Sequence, residues 1–268
     1  MPNFATLTQV KAWLDIATSS DDGMLTTLIN QLSVAILEYV QRPDFVCTTY
    51  TELQNGVAPQ RMMLRNWPVV SVSSLISGQT TIPAATSFGR AGYTLEQWDG
   101  TSSGKCQTIT LNGYCFERGL NNIQAIYQAG YCVQSEPQTV ADIMSVYTIT
   151  ANQNYGVWSQ DDGVIYASTG IKLVPVASAP TVGQYTASSG VYVFNSGDNG
   201  AALLISYSFI PAPITQACIE WVGERYRYKE RIGQTTKSLG GAMSAAYSLT
   251  MPDHIQRMLA PYKKWMPL

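Results

Sequence analysis

Hydrophobic positions change their period along this chain, and each change marks an expected element. From Thr6 to Arg42 they recur at helical spacing, first as Leu7, Val10, Trp13 and Leu14 in TLTQVKAWLDI. They continue as Met24, Leu25, Leu28, Ile29, Leu32, Ile36, Leu37 and Val40 in MLTTLINQLSVAILEYVQR. Thr8 offers a cap for the first helix, Ser20 or Asp21 for the second, and Pro43 stops the second. The second helix's apolar face is wide and must be covered, inside its own domain or against copies of itself.

From Phe45 to Val133 the period falls to two, with turn residues every eight to twelve positions. TTYTELQNG, RMMLRNWPVVSVSSLISG, YTLEQWDG, CQTITLNG and NNIQAIYQAGY are the expected strands, separated by NG, SG, DG and GLNN turns. Pro68 suits a strand start, an edge or a bulge. Residues 134–210 are again β-like but poorer in charge; YTITANQN, GVIYAS, KLVPVA, GQYTASSGVYVFN and ALLISYSF are short strand candidates, with a turn at Asp161-Asp162-Gly163. GYCFERGLNNIQAIYQAGY and VYVFNSGDNGAALLISYSF share a layout of aromatic pair, polar turn and alternating strand, a pattern that recurs wherever hairpins are half-buried.

After Pro211 helical spacing returns at Ile214, Ala217, Cys218, Trp221, Val222 and Tyr226, predicting a helix from Pro213 to Lys229. Arg225, Arg227, Lys229 and Arg231 gather at its C-terminal end, where the helix dipole favours cations; a solvated helix end accounts for them, and a contact to an acidic partner or a glancing DNA contact is the sharper reading. The segment from Arg231 to Trp265 then runs through glycines and hydroxyl residues into an alternating AYSLTM strand and a short amphipathic patch. Such a tail reads as a docking element.

Composition narrows the chemistry. Only 13% of the 268 residues are charged and the formal net charge is −2, which argues against a nucleic-acid grip, since neutralising phosphates needs clustered Lys and Arg. No apolar run is expected to reach the roughly 20 residues of a membrane span, and MPNFATLTQ lacks the regions of a signal peptide. Cys47, Cys106, Cys115, Cys132 and Cys218 are widely spaced with no CxxC pair, so buried or idle thiols are expected rather than a zinc site or disulfide framework. The single histidine, His254, makes a Ser-His-Asp triad a poor fit. Asp161 and Asp162 have no third carboxylate nearby, SLGG lacks the ending of a phosphate loop, and no cofactor or metal is implied. The sixteen tyrosines are spread through the strands, so core and subunit contacts are their first reading.

The order of these features resembles the head–tail connector (adaptor) proteins of tailed bacteriophages. LTQVKAWLDI with SSDDGMLTTLINQLSVAILEYVQRP is similar to the helix pair that opens them, LRNWPVVSVSSL to their first core strands, and IYQAGY to a strand ending in a Tyr-x-Ala-Gly-Tyr signature. WVGERYRYKERIG is similar to a helix that follows that strand closely in short members; here it comes late, so residues 134–210 resemble an inserted β domain of a longer subfamily.

The resemblance implies an α+β fold: a helical hairpin over 1–43, an antiparallel β core over 44–133 to which a helix over 211–232 returns, an inserted β domain over 134–210, and a docking tail over 233–268. It implies a structural protein, not an enzyme, in the virion neck, made in the host cytoplasm. Twelve identical subunits would form a ring beneath the portal protein, with tail or tail-completion proteins on its far side and DNA passing without specific binding. Tyr247, Leu249, Met251, Ile255, Leu259, Tyr262 and Trp265 are the expected portal contacts, and Leu28, Leu32 and Ile36 the residues of helix packing between or within subunits. A decoration or baseplate protein built from β-sandwich modules shares the polar insertion but has no need of the helix pair. A small hydrolase is the other rival, with Asp161, Asp162 and Glu220 as the carboxylates to test.

Overall fold

The computed structural model describes residues 3–58, 60–87, 89–96, 106–229, 236–238, 244–246 and 251–264, with the fold of an α+β protein. They fall into two compact units, one within 1–43 and 210–263, the other within 44–209 and including Lys264.

The first unit is helical. Its elements are α1 (Leu7–Leu14), α2 (Asp22–Val40), α3 (Ala212–Tyr228) and α4 (Asp253–Leu259). Thr6, not Thr8, caps α1: its hydroxyl accepts the Gln9 N–H at 3.2 Å while the Gln9 side chain accepts the Thr6 N–H at 2.9 Å. Of the two threonines only Thr6 stands three residues before Gln9, the spacing a capping box requires. Asp21 precedes α2 but makes no cap bond through its side chain; its carboxylate instead accepts from the Tyr226 hydroxyl.

Leu25, Ile29, Leu32, Ile36, Leu37 and Val40 are buried along α2, whereas Leu28 is half-buried and Met24 exposed. Contrary to the expectation from the sequence, α2 is long and apolar enough to cross a membrane by length and composition. The same stripe serves equally as a core face, and here α2 packs on α1 and α3. α3 belongs to the helical unit. It packs with α1 and α2, carrying buried Ile214, Ala217, Cys218, Trp221 and Val222 toward them. Ser33 of α2 lies 3.8 Å from the Cys218 thiol and also accepts the Phe4 N–H at 3.1 Å. Gly223 faces α1, where an added Cβ would make ordinary contact, 3.4 Å from Leu14 and Trp13 side-chain atoms. Beyond α3, Thr236–Ser238 pairs antiparallel with Ser244–Ala246.

The second unit is all β among the described residues, apart from short 3-10 turns, with two cores. In the first, β1 (Thr48–Gly56), β7 (Gly119–Ala129), β3 (Val69–Ser77) and β4 (Thr80–Thr81) form one sheet, and β2 (Arg61–Met63), β6 (Thr108–Asn112) and β5 (Gly92–Glu96) another. Met62, Leu75, Ile109, Leu111, Ile123 and Tyr127 from both sheets meet between them. Pro68 stands just before β3, whose pairing with β7 slips between Val69 and Ser71, as expected of a strand start with a bulge.

The second core lies within β8 (Cys132–Thr139), β9 (Ala141–Ile143), β10 (Val146–Thr150), β11 (Gly156–Tyr166), β12 (Val174–Pro175), β13 (Gln184–Ser188), β14 (Val191–Phe194) and β15 (Ala202–Pro211). One sheet runs β12-β13-β14-β10-β9 and the other β11-β15-β8, around Tyr185, Tyr192, Leu203, Ile205 and Tyr207. Asp161-Asp162-Gly163 is not a turn; it lies inside β11, where each carboxylate finds a hydroxyl partner and the strand continues. β8 and β9 had no clear sequence signal, because CVQSEPQT is polar and contains Pro137. The two similar segments noted in the sequence end in β7 and β15, each flanked on both sides in its sheet.

Candidate functional site

The residues singled out from the sequence separate into a helical cluster and a β-core cluster. In the helical unit, α4 is held on α3. Ile255 and Leu259 are both at 0% exposure, so they serve this chain's own core and present nothing outward. That corrects their expected role: a seven-residue amphipathic helix with α3 beside it buries its apolar stripe there rather than leaving it for a partner. His254 Nε2 lies 3.3 Å from Glu220 Oε2, and the Gln256 amide donates to the Met251 carbonyl at 2.8 Å. Met251 is half-buried, as is Tyr262, whose carbonyl accepts from Arg42 Nε at 2.7 Å and whose phenol is pushed up by burial. Lys263 stands over the Tyr39 ring at 5.0 Å. Tyr247, Leu249, Trp265 and Arg231 lie outside the described residues.

The cationic end of α3 is partly occupied. Lys229 Nζ is 3.4 Å from Asp21 Oδ2 and 4.0 Å above the Tyr226 ring. The hydrogen bond from Tyr226, with help from Lys229, holds the Asp21 carboxyl below the usual range. Arg225 is half-buried and Arg227 exposed. Leu32 and Ile36 are buried in the helical unit, so their packing is within this chain.

In the β unit the two short motifs of the resemblance turn out to be one physical feature. Tyr131, which ends IYQAGY, packs edge-on against Trp67 of NWPVV at 6.4 Å, and also meets Phe45 at 6.2 Å and Phe209 at 6.1 Å. Such pairs add about 0.5–1.5 kcal/mol each beyond area burial. Gly130 permits this arrangement. With φ +142°, a Cβ there would stand 2.3 Å from the Val46 carbonyl oxygen, closer than any side chain allows.

A repeated device, invisible in the linear sequence, satisfies the carboxylates placed among these apolar strands. The Tyr127 hydroxyl donates to Glu52 at 2.5 Å, Tyr207 to Glu136 at 2.5 Å, Tyr185 to Asp161 at 2.6 Å and Tyr166 to Asp198 at 2.5 Å. Burial first, and the adjacent carboxylate second, push these phenols up, Tyr166 to about 12. Glu52 is also reached by the Arg65 backbone N–H at 3.1 Å. Asp162 accepts from Ser208 at 2.6 Å and from Gln160 at 3.0 Å, and burial raises its carboxyl. Asp161 and Asp162 are thus committed to separate structural hydrogen bonds, and Glu220 belongs to the helical unit with the Gln216 amide at 2.7 Å. Among the described residues, no three His, Cys, Asp or Glu side chains are grouped to hold a metal.

The model of the head completion protein family matches residues 3–144, and the chain belongs to that family. No curated protein matches the chain. Head completion proteins are structural rather than enzymatic; they belong to the virion near the head and act with other head and tail proteins.

Proposed function

We propose that the protein is a head–tail connector subunit: a ring beneath the portal extends the DNA channel and presents the surface on which the tail is built. The observation that carries this reading is the family match over residues 3–144, which takes in the helix pair and the first β core together. The low charge supports it too, since a net charge of −2 leaves the passing DNA without strong phosphate binding. Residues 134–210 act as an inserted module facing outward or toward the tail. The stretch with Tyr247, Leu249 and Met251 adds a strand to the portal, and the ring, of twelve subunits, closes through heterologous contacts.

Native mass measurement of the full chain with purified portal rings tests this. The expected result is a complex whose subunit number matches the portal's rotational symmetry, lost when Tyr247 and Leu249 are both replaced by Asp in a chain that stays folded. Failure of the unaltered chain to bind overturns the portal reading and favours a decoration or baseplate role.

A further inference from the structure

Two of the five cysteines are not idle. Cys47 lies just before β1 and Cys132 opens β8, far apart in sequence, yet the fold brings them together. Thr48 pairs with Ala129, the Tyr131 N–H donates to the Phe45 carbonyl at 2.8 Å, and the ideal Cβ of Gly130 would touch the Cys47 Cα at 2.6 Å. From the other side, the Cys47 N–H donates to the Ser208 hydroxyl at 2.9 Å, and Ser208 is the strand partner of Cys132. Each thiol is near enough to shift the other's ionisation, both residues are half-buried, and both are unbonded here. Cysteines on neighbouring strand ends are placed to form a disulfide, and partial exposure admits a small reagent.

We propose that Cys47 and Cys132 are a redox pair that closes to an intramolecular disulfide on meeting a low-molecular-weight disulfide such as oxidised glutathione, fastening the start of β1 to the start of β8. Cys47 is the attacking group. The neighbouring Cys132 thiol holds the Cys47 thiol below the usual range, while Asp162 nearby opposes ionisation of both. The Cys47 thiolate attacks one glutathione sulfur, forming a mixed disulfide and releasing one glutathione thiolate, which takes up a proton. Cys132 then gives up its proton, attacks the Cys47 sulfur and expels the second glutathione. Two protein thiols are oxidised to one disulfide and one glutathione disulfide is reduced to two thiols. The bond encloses β1 through β7, so it restrains the unfolded chain over the whole first core. The other cysteines are unsuited to this: Cys106 and Cys218 are buried, the latter pushed up to about 11, and Cys115 is exposed.

The test uses the full chain carrying Cys115→Ser, treated with oxidised glutathione under native conditions. The expected product is lighter by about 2 Da, has lost two titratable thiols, yields a Cys47–Cys132 peptide crosslink and reverts with dithiothreitol. Cys47→Ser and Cys132→Ser chains do not close. The oxidised chain unfolds at higher urea than the same chain reduced. A glutathione adduct that persists on either cysteine without closure overturns the proposal, as does closure only after denaturation. An unchanged or lowered urea midpoint on oxidation overturns the fastening.

Discussion

Replacing Tyr127 with Phe tests whether tyrosine hydroxyls are what make buried carboxylates tolerable in this β unit. Tyr127 is at 0% exposure and Glu52 at 6%, so water cannot substitute freely for the hydroxyl. The ring stays and packing is conserved; what is lost is one hydrogen bond to a charged acceptor, worth about 1.5–3 kcal/mol. The backbone N–H and side-chain amide of Asn66, each 3.2 Å from the same oxygen, also lose an acceptor. Glu52 keeps the Arg65 N–H and the Gln54 amide, which limits the total to about 2–3 kcal/mol. Urea unfolding followed by fluorescence reads this as a midpoint lowered by about 1–1.5 M for a slope near 2 kcal/mol/M. A Tyr127→Phe, Glu52→Gln double-mutant cycle should return a coupling of at least about 1 kcal/mol. A single-variant loss below about 0.5 kcal/mol, or no coupling, refutes the reasoning. The pH dependence is a second readout. Because the folded phenol is raised, its contribution is complete below the unfolded value near 10 and is lost as pH rises through the folded value. The variant should therefore lose less stability than the parent above pH ~10, while the other raised tyrosines keep some slope in both.

Further outcomes follow from the same structure. Ile255→Ala and Leu259→Ala should each cost about 2–5 kcal/mol and free α4 for proteolysis, because both side chains are fully buried. His254→Ala should cost under about 1 kcal/mol in the same urea assay, because its side chain is 61% exposed and its contact with Glu220 lies near the surface. Gly130→Ala should destabilise by more than about 2 kcal/mol, whereas Gly23→Ala, in the first turn of α2 with nothing within 4 Å, should stabilise by about 0.5–1 kcal/mol; thermal unfolding separates the two signs. Asp162→Asn should flatten part of the acid dependence. The raised folded carboxyl contributes stability below about pH 3.8 that is lost as pH rises through its folded value, so the parent-minus-variant difference in unfolding free energy should fall on going from acid to neutral pH.

The helix pair, the strand-rich middle and the third helix were legible because each depends on local periodicity: Leu25, Ile29, Leu32 and Ile36 repeat at helical spacing, and Ile123, Ala125, Tyr127 and Ala129 alternate along β7. The family was suggested by resemblance of short motifs, among them Trp67 with Pro68 and the run ending at Tyr131, and the family match bears it out. The cap at Thr6 was missed although its signal, Gln9 three residues on, was present. Asp161-Asp162-Gly163 was misread because turn chemistry is a local preference, and the Tyr185 and Ser208 hydroxyls that hold those carboxylates in a strand come from distant parts of the chain.

By itself the sequence determined that this is an α+β protein with little charge, since composition and period act residue by residue, while its short motifs carried the resemblance to a structural phage family. Only the tertiary structure decided that α3 joins the N-terminal helices, that Ile255 and Leu259 face inward, and that Cys47 meets Cys132. Those outcomes turn on which buried faces fit one another across long chain separations, and pattern along a chain carries no record of that fit.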